Sequence, residues 1–360
     1  MALPLVSVPV SMRVLIATVK IPFIYGGAEV LADNLLGALR TEGHTSDIVA
    51  IPFKQYPPER ILDHMMACRL LDLTEAFGNS IDRLIALKFP AYLIPHPNKV
   101  LWILHQHRQA YDLWAHPQGG DLMHAPNGRV IREAIHQADR SLIPEARAVF
   151  ALSANVSRRL KEGCGITSSP LYSPPANAAS FYCSEPSDYL FYPSRIGTLK
   201  RQTLILRALT HTRHPVRVVF AGPPDNPQSQ QECDHLVRQF SLDRRVQFLG
   251  NVPDTEKFAL YAESVGVIFP PFDEDYGYIT LEAMLSSKPV LTCTDSGGPL
   301  EFVLQRETGL AVEPSPEALA EGMDELWAER GRARLWGRAG RKRYDDLNIS
   351  WENVVKRLLT

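Results

Sequence analysis

Two glutamates eight residues apart, Glu274 and Glu282, sit in the segment PPFDEDYGYITLEAM at 270–284. A buried strand runs into Pro270-Pro271, then an acidic loop, then Gly277, then a helix that carries Glu282. A helix N-terminus presents unpaired backbone N–H groups and partial positive charge, which suits a diphosphate. The expected diphosphate seat is therefore Tyr276-Gly277-Tyr278-Ile279-Thr280. A carboxylate one to two turns into such a helix accepts hydrogen bonds from vicinal hydroxyls, as on a ribose, and one in the loop orients sugar hydroxyls. A second reading of Asp273-Glu274-Asp275 is D-x-D, which holds a divalent cation against a diphosphate. That arrangement belongs to folds with one nucleotide domain, where it falls early in the chain, and here it falls late.

Further groups stand at strand ends. Arg195 and Lys200, with four residues between them, follow the apolar run 189–192. Cations aimed at a leaving diphosphate stabilise charge as it develops. Gly26-Gly27, after the run 13–18, lets a ligand approach backbone N–H groups at a helix start, but it is not the G-x-G-x-x-G of dinucleotide sites. His105 is the first polar residue after the buried run 100–104, and His107 is its fallback. His105-Gln106-His107 also reads H-x-H, a metal pair of β/α-barrel hydrolases, yet no eight-stranded pattern accompanies it. Tyr111 and Trp114 read as core, and Trp351 as a packing anchor.

These positions need a scaffold. The chain has 360 residues, 45% hydrophobic and 22% charged, with a net charge of -2. That predicts two globular domains and excludes disordered, fibrous and broadly basic nucleic-acid-binding classes. No apolar stretch reaches the length of a membrane span, and residues 1–12 lack the basic start of a signal peptide. Five widely spaced cysteines without C-x-x-C read as reduced thiols of a cytoplasmic protein.

Strands alternate with amphipathic helices in two series. In the first, 13–18, 47–51, 100–104 and 148–152 are strands, with a helix over 27–40. A Ser-, Pro- and Ala-rich stretch at 168–187 reads as a linker. In the second, 189–192, 216–221, 246–249, 265–269, 290–293 and 310–312 are strands. Helices are expected over 204–210, 229–240, 255–263, 280–286, 299–305 and 316–328, with a final one at 349–359. Short apolar strands without alternation fit a parallel sheet covered on both faces. The fold class is α/β, and ligands in such sheets sit outside the carboxyl ends of the strands.

The segment with Glu274, Gly277 and Glu282-Ala283-Met284 resembles the hallmark of the retaining glycosyltransferases of the GT-B fold, family 4: E-x7-E followed by Ala-Met. Three other segments fit the same pattern. They are Arg195-x4-Lys200, Gly297-Gly298-x-x-Glu301, and Gly26-Gly27-Ala28-Glu29. Two departures stand out: Asp275 replaces a small residue, and Arg201 stands where glycine is usual.

The resemblance implies two facing Rossmann-like domains. Residues 1–180 would be the acceptor side, 181–345 the nucleotide-sugar side, and 346–360 a helix returning to the first domain. It implies that Glu282 binds the ribose, Glu274 the donor sugar, and Arg195 and Lys200 the diphosphate, with His105 on the donor sugar. The activity implied is metal-independent, retaining sugar transfer from a nucleotide-diphosphate-sugar to an acceptor hydroxyl, in bacterial polysaccharide or glycoconjugate synthesis. No cofactor is expected beyond the donor itself. The expected partners are that donor and an unidentified acceptor, no nucleic acid, with peripheral contact at the inner face of a membrane left open. Rival readings are a nucleotide-sugar epimerase on the same fold and a non-catalytic nucleotide-sugar-binding subunit.

Overall fold

Strands of two to eight residues, most of them apolar and buried, build two parallel sheets in this protein, whose computed structural model describes residues 11–23, 26–116 and 121–360. Residues 1–10, with most of the apolar start, and Tyr25 beside the first glycine pair lie outside the described residues. The chain divides into two units, residues 1–176 with 350–360, and residues 177–349.

The first unit contains β1 (Arg13–Lys20), β2 (Thr45–Pro52), β3 (Arg83–Ala86), β4 (Lys99–Ile103), β5 (Ala148–Ala151) and β6 (Ser169–Pro170), in the order β2-β1-β3-β4-β5-β6, all parallel. β3 is not anticipated from the sequence. RLIA opens on an arginine and is too short to show a period. The helices Arg60–Leu70, Gly128–Leu142 and Ala154–Cys164 add to the expected Gly27–Thr41. Ser153 caps the helix at 154–164 by accepting from the Val156 N–H, and Gly165 closes it in the left-handed conformation at φ 75°.

The second unit contains β7 (Leu190–Pro193), β8 (Val218–Ala221), β9 (Val246–Phe248), β10 (Val267–Ile268), β11 (Val290–Cys293) and β12 (Gly309–Val312). Their order, β9-β8-β7-β10-β11-β12, is that of a mononucleotide-binding pair of halves. All pair in parallel. The helix expected over 299–305 is a correction. Only a 3-10 turn, Gly298–Glu301, forms there, because Pro299 and two preceding glycines open it and the Thr308 hydroxyl then captures the Leu304 N–H at 2.8 Å. Conversely, the 17-residue helix Arg330–Asp346 arises from a stretch so rich in Arg and Gly that no apolar period announces it.

The last helix, Trp351–Leu359, packs on the first unit. Val354, Val355 and Leu358 are buried, and Trp351 meets Trp102 edge-on at 6.2 Å. Arg83 at the head of β3 donates to the carbonyls of Leu358 and Leu359 at 3.2 and 2.9 Å. A cation thus satisfies the orphan carbonyls at the negative end of the helix. No helix among the described residues is long and apolar enough to cross a membrane.

Candidate active site

In the second unit the chain leaves β7 toward one side of the sheet and β10 toward the other, so a crevice opens beyond their carboxyl ends. Both loops that emerge there carry residues singled out above. The Phe272 N–H donates to the Leu199 carbonyl at 2.8 Å and pins the two loops together. Across that seam the Lys200 Nζ donates to the Glu274 Oε2 at 2.5 Å, with the side chains only 20% and 24% exposed. The same ammonium lies 5.6 Å above the Phe269 ring.

The loop after β11 laces onto the acidic loop from the other side. Glu274 donates its N–H to the Ser296 carbonyl at 2.9 Å and accepts from the Gly298 N–H at 2.8 Å. A Cβ on Gly298 would sit 2.5 Å from the Tyr276 carbonyl oxygen, so the glycine is required by backbone-on-backbone contact. Gly277, at φ 89°, is left-handed and lies against Pro299; it turns the chain into the helix Tyr278–Leu285. Tyr276 is buried edge-on between Tyr278 and Phe302, at 4.9 and 5.6 Å. Ile279 opens the helix beside Thr280, whose N–H returns to the Gly277 carbonyl at 2.9 Å.

Glu282, in the second turn, accepts from the Tyr261 hydroxyl at 2.6 Å and lies 3.6 Å from the Lys257 Nζ. Burial pushes its carboxyl above the usual range, while Lys257 and the tyrosine hydroxyl pull it back. A carboxylate held this way is preoriented to accept further hydrogen bonds.

Arg195 turns elsewhere. It ion-pairs with Asp225, in the loop after β8, and its side chain is 65% exposed. Gln202 braces this loop, donating to the Arg195 carbonyl at 2.8 Å and accepting from the Gly197 N–H at 3.2 Å. Arg201 explains why glycine is usual at its place: φ is 59°, a left-handed conformation. Here the arginine makes a bidentate pair with Asp295 at 2.7 and 2.6 Å and lies 5.2 Å above the Phe272 ring.

In the first unit the Gly26 N–H donates to the Glu29 carboxylate at 2.9 Å, opening the helix Gly27–Thr41. A Cβ at Gly27 would meet nothing within 4 Å, so packing does not demand that glycine. His105, half-buried past β4, has its Nδ1 2.6 Å from the Gln106 carbonyl, which orients the ring. His107 is buried against Phe53 and Phe89, and burial lowers its pKa to about 4, so it is neutral.

The structure therefore joins Lys200 to Glu274 directly and joins Glu274, Tyr276, Gly277 and Glu282 through one loop–helix segment. It gives Arg195 a separate partner and keeps Gly26, Gly27 and His105 in the other unit. Sequence reasoning missed Tyr261, Lys257, Asp225 and Asp295 as partners of site residues. No spacing signal marks them, since Lys257 and Tyr261 share one helix while Asp225 and Asp295 come from two other segments. Among the described residues no three His, Cys, Asp or Glu side chains gather to hold a metal ion.

Residues 181–343 match the family Glycosyl transferases group 1. The chain is 32% identical over 163 residues to alpha-1,3/1,6-mannosyltransferase ALG2 of Mus musculus, covering 42% of this chain and 39% of that one. The chain thus spans about two fifths of the length of the curated relatives it matches. Solved structures match over nearly the whole chain. Sucrose-phosphate synthase from Thermosynechococcus elongatus has a TM-score of 0.74 at 17% identity, covering 96% of this chain and 97% of that one. The Anabaena protein HepE in complex with UDP and glucose has a TM-score of 0.68 at 16% identity, covering 97% and 98%. At such identities these likenesses concern the fold.

Proposed function

We propose, from a second unit whose residues 181–343 belong to the glycosyl transferases group 1, that this protein transfers a sugar from a nucleotide-diphosphate-sugar to an acceptor hydroxyl, with retention and without a metal. The observation that carries the reading is the Lys200–Glu274 pair at the switch point of a mononucleotide-type sheet, on the loop that leads through Gly277 into the Glu282 helix. The relatives' names support a nucleotide-sugar donor: a mannosyltransferase by sequence, and by fold a protein solved with UDP and glucose.

In this reading Glu282 accepts hydrogen bonds from the ribose hydroxyls and Glu274 from hydroxyls of the donor sugar. Lys200, Arg195 and the helix start at 277–280 meet the diphosphate. The bond between the anomeric carbon and the phosphate oxygen breaks, and the electron pair stays on that oxygen. The acceptor oxygen attacks the same face of the sugar, and its proton passes to the leaving phosphate. Lys200 and the helix dipole interact more strongly with the diphosphate as its charge grows, which is where rate is gained. His105 orients the donor sugar. The acceptor belongs to polysaccharide or glycoconjugate assembly, in line with the mannosyltransferase relative.

The test is thermal unfolding with UDP, GDP, ADP and dTDP, each with and without EDTA. A nucleotide at 100 times its dissociation constant adds about 2.7 kcal/mol, which raises the midpoint by a few degrees in a chain this size. The expected result is a rise with one nucleotide that survives EDTA. A rise abolished by EDTA would restore the metal reading of Asp273-Glu274-Asp275, and no rise with any nucleotide would remove the proposal.

A further inference from the structure

At the amino ends of β10 and β11, on the opposite edge of the sheet from the site described above, the second unit has a cavity of about 200 Å³. Val265 and Pro289, just before the two strands, fix its position. Four cations line it, Lys288, Arg330, Arg334 and Arg338, against one carboxylate, Glu185. The three arginines are at i, i+4 and i+8 of the helix Arg330–Asp346 and so share one face. Gly337 brings that face close: a Cβ there would lie 2.0 Å from the Ser287 carbonyl oxygen, beside Lys288.

Two of the cations are already compensated. Arg330 pairs with Asp188 at 2.8 Å, and Arg334 with Glu185 at 2.5 Å. Lys288 is 5% exposed, and its Nζ donates to the Ser184 carbonyl at 3.3 Å. Among the described residues neither it nor Arg338 forms a salt bridge, and the Cys183 thiol and Glu185 also act on Lys288. Burying an ammonium is costly, and burial pulls the Lys288 pKa below the ordinary lysine value, with Arg334 adding to the shift and Cys183 and Glu185 pulling against it. Four cations face one lining carboxylate at this cavity, and two of them, the buried Lys288 and the exposed Arg338, form no salt bridge among the described residues. That complement matches a doubly charged oxyanion, the charge a phosphate group carries near neutral pH.

We infer that this cavity is a phosphate-binding site separate from the donor site, formed by Lys288 and Arg338 and walled by Arg330 and Arg334. The ligand is inorganic phosphate or the phosphate of a small monoester.

The test is calorimetric titration of the intact protein with inorganic phosphate at constant ionic strength, with glycerol 3-phosphate in a parallel arm. Saturable binding is expected, weakened at least tenfold by Arg338→Glu and unchanged within twofold by Lys200→Ala at the donor site. Arg338 is an exposed helix residue, so its replacement leaves folding intact where Lys288→Met risks disturbing it. Equal affinity for the two ligands assigns free phosphate, and at least tenfold tighter binding of the ester assigns the monoester. Absence of saturable binding, indifference to Arg338→Glu, or loss with Lys200→Ala would each overturn the inference, the last by moving the phosphate to the donor site.

Discussion

The two units place their polar side chains differently. In the first, Asp139 is fully buried and accepts from the hydroxyls of Tyr92 and Tyr111 at 2.8 and 2.7 Å, with the Tyr111 ring stacked on His136 at 4.3 Å. Lys99 is equally buried and reaches Glu145 at 3.2 Å. In the second, Lys200, Glu274, Arg201 and Asp295 are part-exposed and join loops that follow three different strands. Hydrogen bonds sealed among helices can only be lost on unfolding. Charge pairs at the mouth of a sheet can instead be traded for a phosphate oxygen or a sugar hydroxyl, because the exchange leaves no buried group unpaired. The first arrangement holds a fold, and the second is suited to a ligand.

The largest expected effect is on the part-exposed Lys200–Glu274 pair. Lys200→Ala is expected to lower transfer at least about a hundredfold, about 3 kcal/mol at the transition state, while unfolding free energy moves by less than about 1 kcal/mol. Steady-state rates and urea unfolding of the same preparation read both quantities. A variant that loses stability instead of rate would break the contrast between the units.

The sealed cluster predicts a pH effect. Burial raises the Asp139 pKa to about 7, with the Tyr111 and Tyr92 hydroxyls pulling against it. The unfolded chain therefore gives up this proton first as pH rises. The stability that the protonated group confers is complete below about pH 4 and is lost as pH climbs toward 7. Asp139→Asn keeps one oxygen acceptor for a tyrosine hydroxyl, places an amide at the other position, and has no proton to lose. Unfolding free energies from urea titrations at pH 5 and pH 7.5 should lie closer together in the variant than in the parent, by about 2 kcal/mol. An unchanged gap would show that Asp139 does not titrate in this range.

The smallest effect sharpens the comparison within the second unit. Arg201→Gly relieves a left-handed backbone but gives up the pair with Asp295, and the two nearly cancel, to within about 0.5 kcal/mol. Arg201→Ala loses the pair and keeps the strain, costing about 1 kcal/mol. Equal midpoints for the two variants would show that backbone conformation carries no weight there.

Legibility in the sequence followed distance along the chain. The loop and helix at 270–285 are readable because proline, glycine and the helix start lie within a few residues of one another. Arg201 was visible as a departure from glycine, but its φ of 59° was not. Lys200 and Glu274 meet across 74 residues, Arg201 and Asp295 across 94, and Arg83 reaches the final helix across 275. No spacing pattern encodes such meetings. Short or Arg-rich segments were illegible for another reason: RLIA and the helix at 330–346 show no apolar period, and only their neighbours in the sheet and helix layers hold them in place.

Apolar runs, capping residues and glycines determined by themselves that this chain makes parallel strands with helices between them, since backbone preference and hydrophobic period act over a few residues. Tertiary structure alone decided which charges became partners. Lys200 found Glu274, Arg195 found Asp225, and Lys288 was left at a cavity without a salt bridge among the described residues. The reason is that an ion pair depends on a separation of a few ångströms in space, and only the order of strands in the sheet sets that separation.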